Sequence, residues 1–209
     1  MNDNKNRTVD SDMKKAILDL LDKLNSIEYI NPETIPHIDL YMDQVTSFFD
    51  GQLEMSKRHE DDKLLTKTMI NNYTKNDLLP PPVKKKYSKE HMLCLIFIFY
   101  LKNILSINDI HTVLEPLTEK YFGNKDGFDM EDIYKEIFEM EKAESKKVLK
   151  EFAKKHQIAK GTFRDFPEED QEMLQTFSFI CLLSFDIYIK KQLIEKIVDD
   201  VFTEDKKQG

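Results

Sequence analysis

An all-α fold is what this sequence predicts, and three observations carry the prediction. Glycine and proline are scarce, five and seven in 209 residues, so the punctuation of a turn-rich sheet is missing. Apolar residues recur with the period of a helix face through long stretches of the chain. Good N-cap residues, Thr66, Ser88, Ser106 and Asp129, stand just ahead of several of those stretches. With 40% hydrophobic and 33% charged residues, the chain reads as a soluble globular protein of one domain, or two small ones sharing a core.

Ser11 or Asp12 can cap a first helix whose Ile17, Leu20, Leu21 and Leu24 keep helical spacing. It is expected to end near Ile30, ahead of Asn31-Pro32. A second helix is predicted from about Pro36, a residue suited to a first turn. Ile38, Tyr41, Met42, Val45, Phe48 and Phe49 form its apolar face, and Gly51 marks its end. The charged residues 52–62 that follow read as a solvated loop, or as a helical turn of their own. They are longer than the tight turn of a helix-turn-helix.

From Lys63 to Lys89 the character changes. Seven lysines stand against one acid, Asp77, a local +6 in a chain whose total is −8, which leaves −14 elsewhere. A positive patch in an acidic chain points to a polyanionic partner. Thr66 caps a short helix that must stop by about Asp77, because Leu79 precedes three prolines and is driven towards extended geometry. Met69, Ile70 and Tyr73 share one face of that helix. Thr68, Asn71, Asn72 and Lys75, at i, i+3, i+4 and i+7, make a polar stripe on the other. Asn pairs bidentately with adenine in the major groove while Lys and Thr reach phosphates, so the stripe has the chemistry of a recognition helix; an ordinary solvated face has the same composition. Pro80 to Pro82 then make a stiff connector, Lys84, Lys85 and Lys86 a basic arm, and Ser88 a new cap. That order is the plan of a winged helix-turn-helix.

Between Leu65 and Ile110 the sequence resembles the MerR family of bacterial regulators. Leu65-Thr66 sits where that family starts its recognition helix, and Tyr73 keeps the family spacing before Leu78-Leu79-Pro80. Tyr87-Ser88, Leu101-Lys102, Ser106-Ile107 and Asp109-Ile110 also fall in register. Asn71-Asn72 replaces the usual Arg-Tyr, Asp77 stands where Gly is usual, and the wing lacks its Gly-Tyr-Arg hairpin, which suggests a shortened wing. With Ile38 to Val45 included, the chain is similar to the YkrK-like proteins of Gram-positive bacteria, which are thought to regulate transcription. The resemblance implies a MerR-like DNA-binding domain over residues 1–122, followed by a C-terminal helical bundle over 123–209 for dimerisation or effector binding. Double-stranded DNA is the expected partner and a homodimer the expected state. The expected contacts are Lys67, Thr68, Asn71, Asn72 and Lys75 on the recognition helix at about 67–76, and Lys84, Lys85 and Lys86 in a wing at 80–87. An unknown small-molecule or protein effector is a further possible partner, one that the resemblance does not identify.

Beyond Ser88 a helix carrying Leu93, Ile96, Phe97, Tyr100 and Leu101 is apolar on nearly every side and should be buried. Ser106 with Asp109 opens the next, bearing Ile110, Val113, Leu114, Leu117 and Tyr121, interrupted at Pro116 and closed by Gly123. The loop Gly123 to Gly127 is not a calcium loop, since counting from Gly127 as sixth residue puts Phe122 first and Ile133 twelfth, and neither can ligate. Asp129 with Asp132 starts a long helix to about Ala159. Its Ile133, Ile137, Val148, Leu149 and Phe152 flank a polar middle. Pro167 opens the last helix, apolar all round from Phe177 to Ile189, with Leu193, Ile194, Ile197, Val198 and Val201 continuing. It is either the centre of the bundle or a dimer interface. The tail from Asp205 is expected to be disordered.

Enzyme signatures are not visible. His37, His59, His91, His111 and His156 are scattered without metal-ligand spacing and read as helix-end and surface residues, no Gly-rich phosphate loop exists, and no nucleophile elbow is present. No cofactor and no catalytic or metal residue is expected. Cys94 and Cys181 read as reduced core residues of a cytoplasmic protein. The apolar runs Met92–Leu101 and Leu174–Ile189 are shorter than the ~20 residues a bilayer span takes, so no membrane contact is expected. The alternative function is a helical protein-interaction module whose basic arm and Pro80–Pro82 dock an acidic partner.

Overall fold

The computed structural model describes residues 30–202, with the side chains of residues 145, 146 and 149 set aside. The expected first helix before Ile30 and the tail from Asp205 lie outside them. Among the described residues six α-helices follow one another: α1 (Met42–Gln52), α2 (Lys67–Lys75), α3 (Lys89–Leu101), α4 (Ile107–Tyr121), α5 (Met130–Lys160) and α6 (Glu168–Ile197). A π-helical turn, Val198–Phe202, prolongs α6. Two short strands, β1 (Leu40–Tyr41) and β2 (Lys86–Tyr87), pair antiparallel with Leu40 opposite Tyr87 and Tyr41 opposite Lys86.

α3 is the axis of the core. All nine residues from His91 to Phe99 are buried, because α4, α5 and β2 close around a helix with no polar side. Each large apolar side chain so buried contributes about 1.5–3 kcal/mol. Leu95→Ala would leave a cavity costing about 2–5 kcal/mol. The core continues into the first turns of α5, where Met130, Tyr134 and Phe138 at i, i+4 and i+8 pack inward. The Tyr134 hydroxyl donates to the Ile30 carbonyl at 2.6 Å.

α1 begins at Met42, not near Pro36. Residues 40–41 are held extended by their ladder to β2, and the Tyr41 N–H is taken by the Gln44 side chain at 2.9 Å. Ile38 and Tyr41, 68% and 53% exposed, therefore leave the apolar face that periodicity assigned them. α4 runs through Pro116 without interruption. His91, expected at the surface, is 3% exposed. Cys94 is buried as expected, but Cys181 is exposed.

α6 packs against α5, and the π-helical turn reaches α4. Phe179 is the one buried residue of α6 itself, seated against Phe152 at 5.0 Å and His156 at 5.2 Å. One copy thus forms a helical hairpin open on one side. The apolar run judged too short to span a bilayer lies in a continuous helical segment, Glu168–Phe202, that is long and apolar enough to cross one by length and composition.

Candidate nucleic-acid interface

α2 is short and two-faced. Thr66 Oγ1 caps it by accepting the Met69 N–H at 3.2 Å. Ile70 and Tyr73 are buried, and burial pushes the Tyr73 hydroxyl pKa up. Thr68, Asn71, Asn72 and Lys75 are all exposed on the opposite side. The Asn72 backbone carbonyl accepts the Asn76 side-chain amide at 2.8 Å, and the Asn72 residue is exposed. The helix closes with two reversed bonds, Leu78 N–H to the Tyr73 carbonyl at 2.9 Å and Asp77 N–H to the Thr74 carbonyl at 3.3 Å. Asp77 has φ +56°, the left-handed C′ position that glycine usually fills. Its presence there explains how a sequence without the glycine still stops the helix before Leu79.

The basic arm is a two-residue hairpin. Val83 and Lys86 exchange both backbone bonds, at 3.1 and 3.0 Å, and between them Lys84 and Lys85 have φ +50° and +65°. Positive φ at both central residues is a type I′ turn, the connection whose twist suits a tight hairpin and whose usual residues are Asn-Gly. Here two exposed lysines occupy it. Its outgoing strand is β2, so the hairpin is tied by backbone bonds to the strand in front of α1.

The N-terminal end of α1 brings the two basic pieces together. Asp43, in its first turn, forms an ion pair with Lys67 at the start of α2. Two residues earlier, the Tyr41 ring lies under Lys86 Nζ at 5.2 Å from its centre. Lys67 and Lys86 each thus contact a side chain at the N-terminal end of α1. Lys75, Lys84 and Lys85 make no ion pair among the described residues.

Two supports went unrecognised in the sequence. The His91 Nδ1 accepts the Ser88 N–H at 3.0 Å and lies 2.8 Å from Ser88 Oγ. That assigns the ring proton to Nε2, which is 3.4 Å from the Pro81 carbonyl. Burial holds the His91 pKa below its ordinary value, and the neutral ring latches the polyproline connector to the first turn of α3. The legible signal was Ser88-x-x-His91, a capping box with an unusual fourth member. Lys102 Nζ donates to the Leu64 carbonyl at 2.7 Å, fixing the chain just ahead of α2. Burial lowers its pKa. In the preceding loop a 3₁₀ turn covers Glu54–Ser56, and Asp62 accepts the Arg58 and His59 N–H groups at 3.0 Å each. Among the described residues no three His, Cys, Asp or Glu side chains converge as metal ligands.

The family model for a domain of unknown function, DUF1836, matches residues 30–137, over half of the 209 residues. The chain belongs to the DUF1836 family. No curated protein and no solved structure matches it. The DUF1836 match opens at Ile30, whose carbonyl holds Tyr134, and closes one residue before Phe138. Its span covers α1 to α4, the hairpin and the opening turns of α5, and the core it shares extends beyond it to Phe138 and Val198. The α5–α6 hairpin beyond it is outside the DUF1836 match.

Proposed function

We propose that this DUF1836 protein is a sequence-specific, DNA-binding transcriptional regulator of the MerR-like winged type, related to the YkrK-like proteins, acting as a cytoplasmic homodimer. α2 enters the major groove of double-stranded DNA, with Asn71 and Asn72 reading base edges and Thr68 and Lys75 on phosphates. The Lys84–Lys85 turn is a minimal wing on the adjoining backbone. The observation that carries this reading is the shared anchorage of α2 and the lysine turn at the N-terminal end of α1, through Asp43 and Tyr41. Lys67 and Lys86 serve in it as positioning residues, because Asp43 and Tyr41 already engage them.

Selection of bound sites from random duplex DNA with the full chain tests it. A palindrome with half-sites about one helical turn apart is expected. Asn71→Ala with Asn72→Ala should erase discrimination worth about 1–3 kcal/mol per bidentate contact. No retardation of duplex DNA at low salt, alongside stoichiometric capture of an acidic protein, would transfer the site to the protein-docking alternative.

A further inference from the structure

The histidine that joins the polyproline connector to α3 sits where a second ring proton has no place. His91 is 3% exposed, and its ring lies edge-on to Tyr87 at 5.5 Å and to Phe122 at 4.8 Å. Its Nδ1 must accept, because the Ser88 N–H that meets it at 3.0 Å can only donate. Its Nε2 faces the Pro81 carbonyl at 3.4 Å, which can only accept. The neutral ring with its hydrogen on Nε2 satisfies both. The imidazolium does not, since it sets a hydrogen on Nδ1 against the Ser88 N–H.

The surroundings give the charged ring little help. The Pro81 and Pro80 carbonyls of the connector and Asp39 ahead of β1 favour it, but burial, the larger effect, opposes it. On β2 burial pushes the Tyr87 hydroxyl pKa up, so that group stays neutral. On α3 itself Lys89 pairs with Glu131 of α5, and Glu90 takes the Gly123 N–H. Phe122, which closes the site behind α4, carries no charge.

Two routes lead to a protonated ring. Unfolding of the whole chain is one. The other lifts only the connector, and it is the easier, because from Pro80 to Lys86 no residue is buried whereas Leu79 and Tyr87 at the two ends are. Little apolar surface is uncovered when such a stretch opens. Its three prolines also have no N–H to be stripped of a partner.

We infer that His91 is a proton-operated latch: the neutral ring docks the connector and the lysine turn on α3, and on protonation the ring leaves its site and residues 80–85 come away. On the DNA reading above, the latch makes the wing contact fail in acid. Only that consequence rests on the reading, and the test contains no DNA, so its failure leaves site selection to be judged separately.

NMR spectra of the full chain, taken from about pH 7.5 down to about pH 5, test the latch. The His91 ring should titrate with a midpoint below the ordinary histidine value of about 6.5. Along the same curve the Val83, Lys84 and Lys85 amide signals should shift towards unstructured positions, and the Overhauser contacts from the ring to Phe122 should vanish. The amides of Val45 and Leu95, both buried, should hold still. His37 and His59, both exposed, mark the course of an ordinary histidine over the same range. His91→Gln keeps an acceptor for the Ser88 N–H and gains no proton, so its lysine-turn amides should not move. A ring that titrates while the turn stays put, a turn that follows His37 or His59 instead, the same transition in His91→Gln, or a ring that stays neutral until all amides are lost together would each overturn the inference.

Discussion

Replacing Lys84 by Asn and Lys85 by Gly should make the protein more stable and worse at binding DNA. Both lysines sit at left-handed φ, +50° and +65°, where an L-residue is penalised by about 1–2 kcal/mol. Asn tolerates that region, and Gly enters it freely at an entropic cost of about 0.5–1 kcal/mol. The pair should therefore gain about 1–2 kcal/mol, or roughly 3–6 °C in Tm for a chain of this length. No contact opposes the change, since both side chains are exposed and outside any ion pair among the described residues. The same variant removes two phosphate-reaching charges, so the slope of log K against log salt should flatten by about 1.8 per copy. Thermal melting and retardation titrations over a salt series measure the two effects, with Lys150→Gln and Lys154→Gln as a charge-matched control on α5. A variant melting no higher than wild type would refute the strain argument. An unchanged salt slope would refute the wing contact.

Asp77→Gly should raise stability by about 1 kcal/mol in urea unfolding, because Asp77 holds the positive φ of the C′ position; a loss would mean that its side chain caps the turn. Stability should fall with pH from about 6.5 downward, at up to about 1.4 kcal/mol per unit, and the slope should vanish in His91→Gln. The sign follows from burial lowering the His91 pKa: below the unfolded value the unfolded chain takes up a proton that the folded ring refuses, so stability is whole above that value. Tyr134→Phe should cost about 1–3 kcal/mol, since it strands the Ile30 carbonyl in the core; equal unfolding midpoints would show that water replaces the hydroxyl.

His91 also ties the reading surface to the rest of the fold. The first turn of α3 holds Pro81 through His91, while its Lys89 reaches Glu131 of α5 at 2.9 Å and its Glu90 accepts the Gly123 N–H at 2.8 Å. Lys89 and Glu131 are only 11% and 25% exposed, so this pair is better shielded than a surface bridge. Lys89, Glu90 and His91 thus join α5, the Gly123 turn and the polyproline connector to one turn of α3.

The helices were legible in the sequence because their signals are local. Thr66, Ser106 and Asp129 cap as their side chains dictate. α3 is buried because its sequence offers no polar side, and Thr68, Asn71, Asn72 and Lys75 face outward because Ile70 and Tyr73 must face inward. What needed coordinates is non-local. Residues 40–41 are a strand, not the start of a helix, because their partner lies at 86–87, and no helical period encodes a pairing that distant. His91 and Lys102 are supports because Pro81 and Leu64 come back to them in space. An apolar helix reads alike from sequence whether its own chain or another copy covers it. Only the tertiary structure decided that α3 is enclosed and that α6 keeps one side open, since enclosure depends on how many neighbours the chain can bring to it.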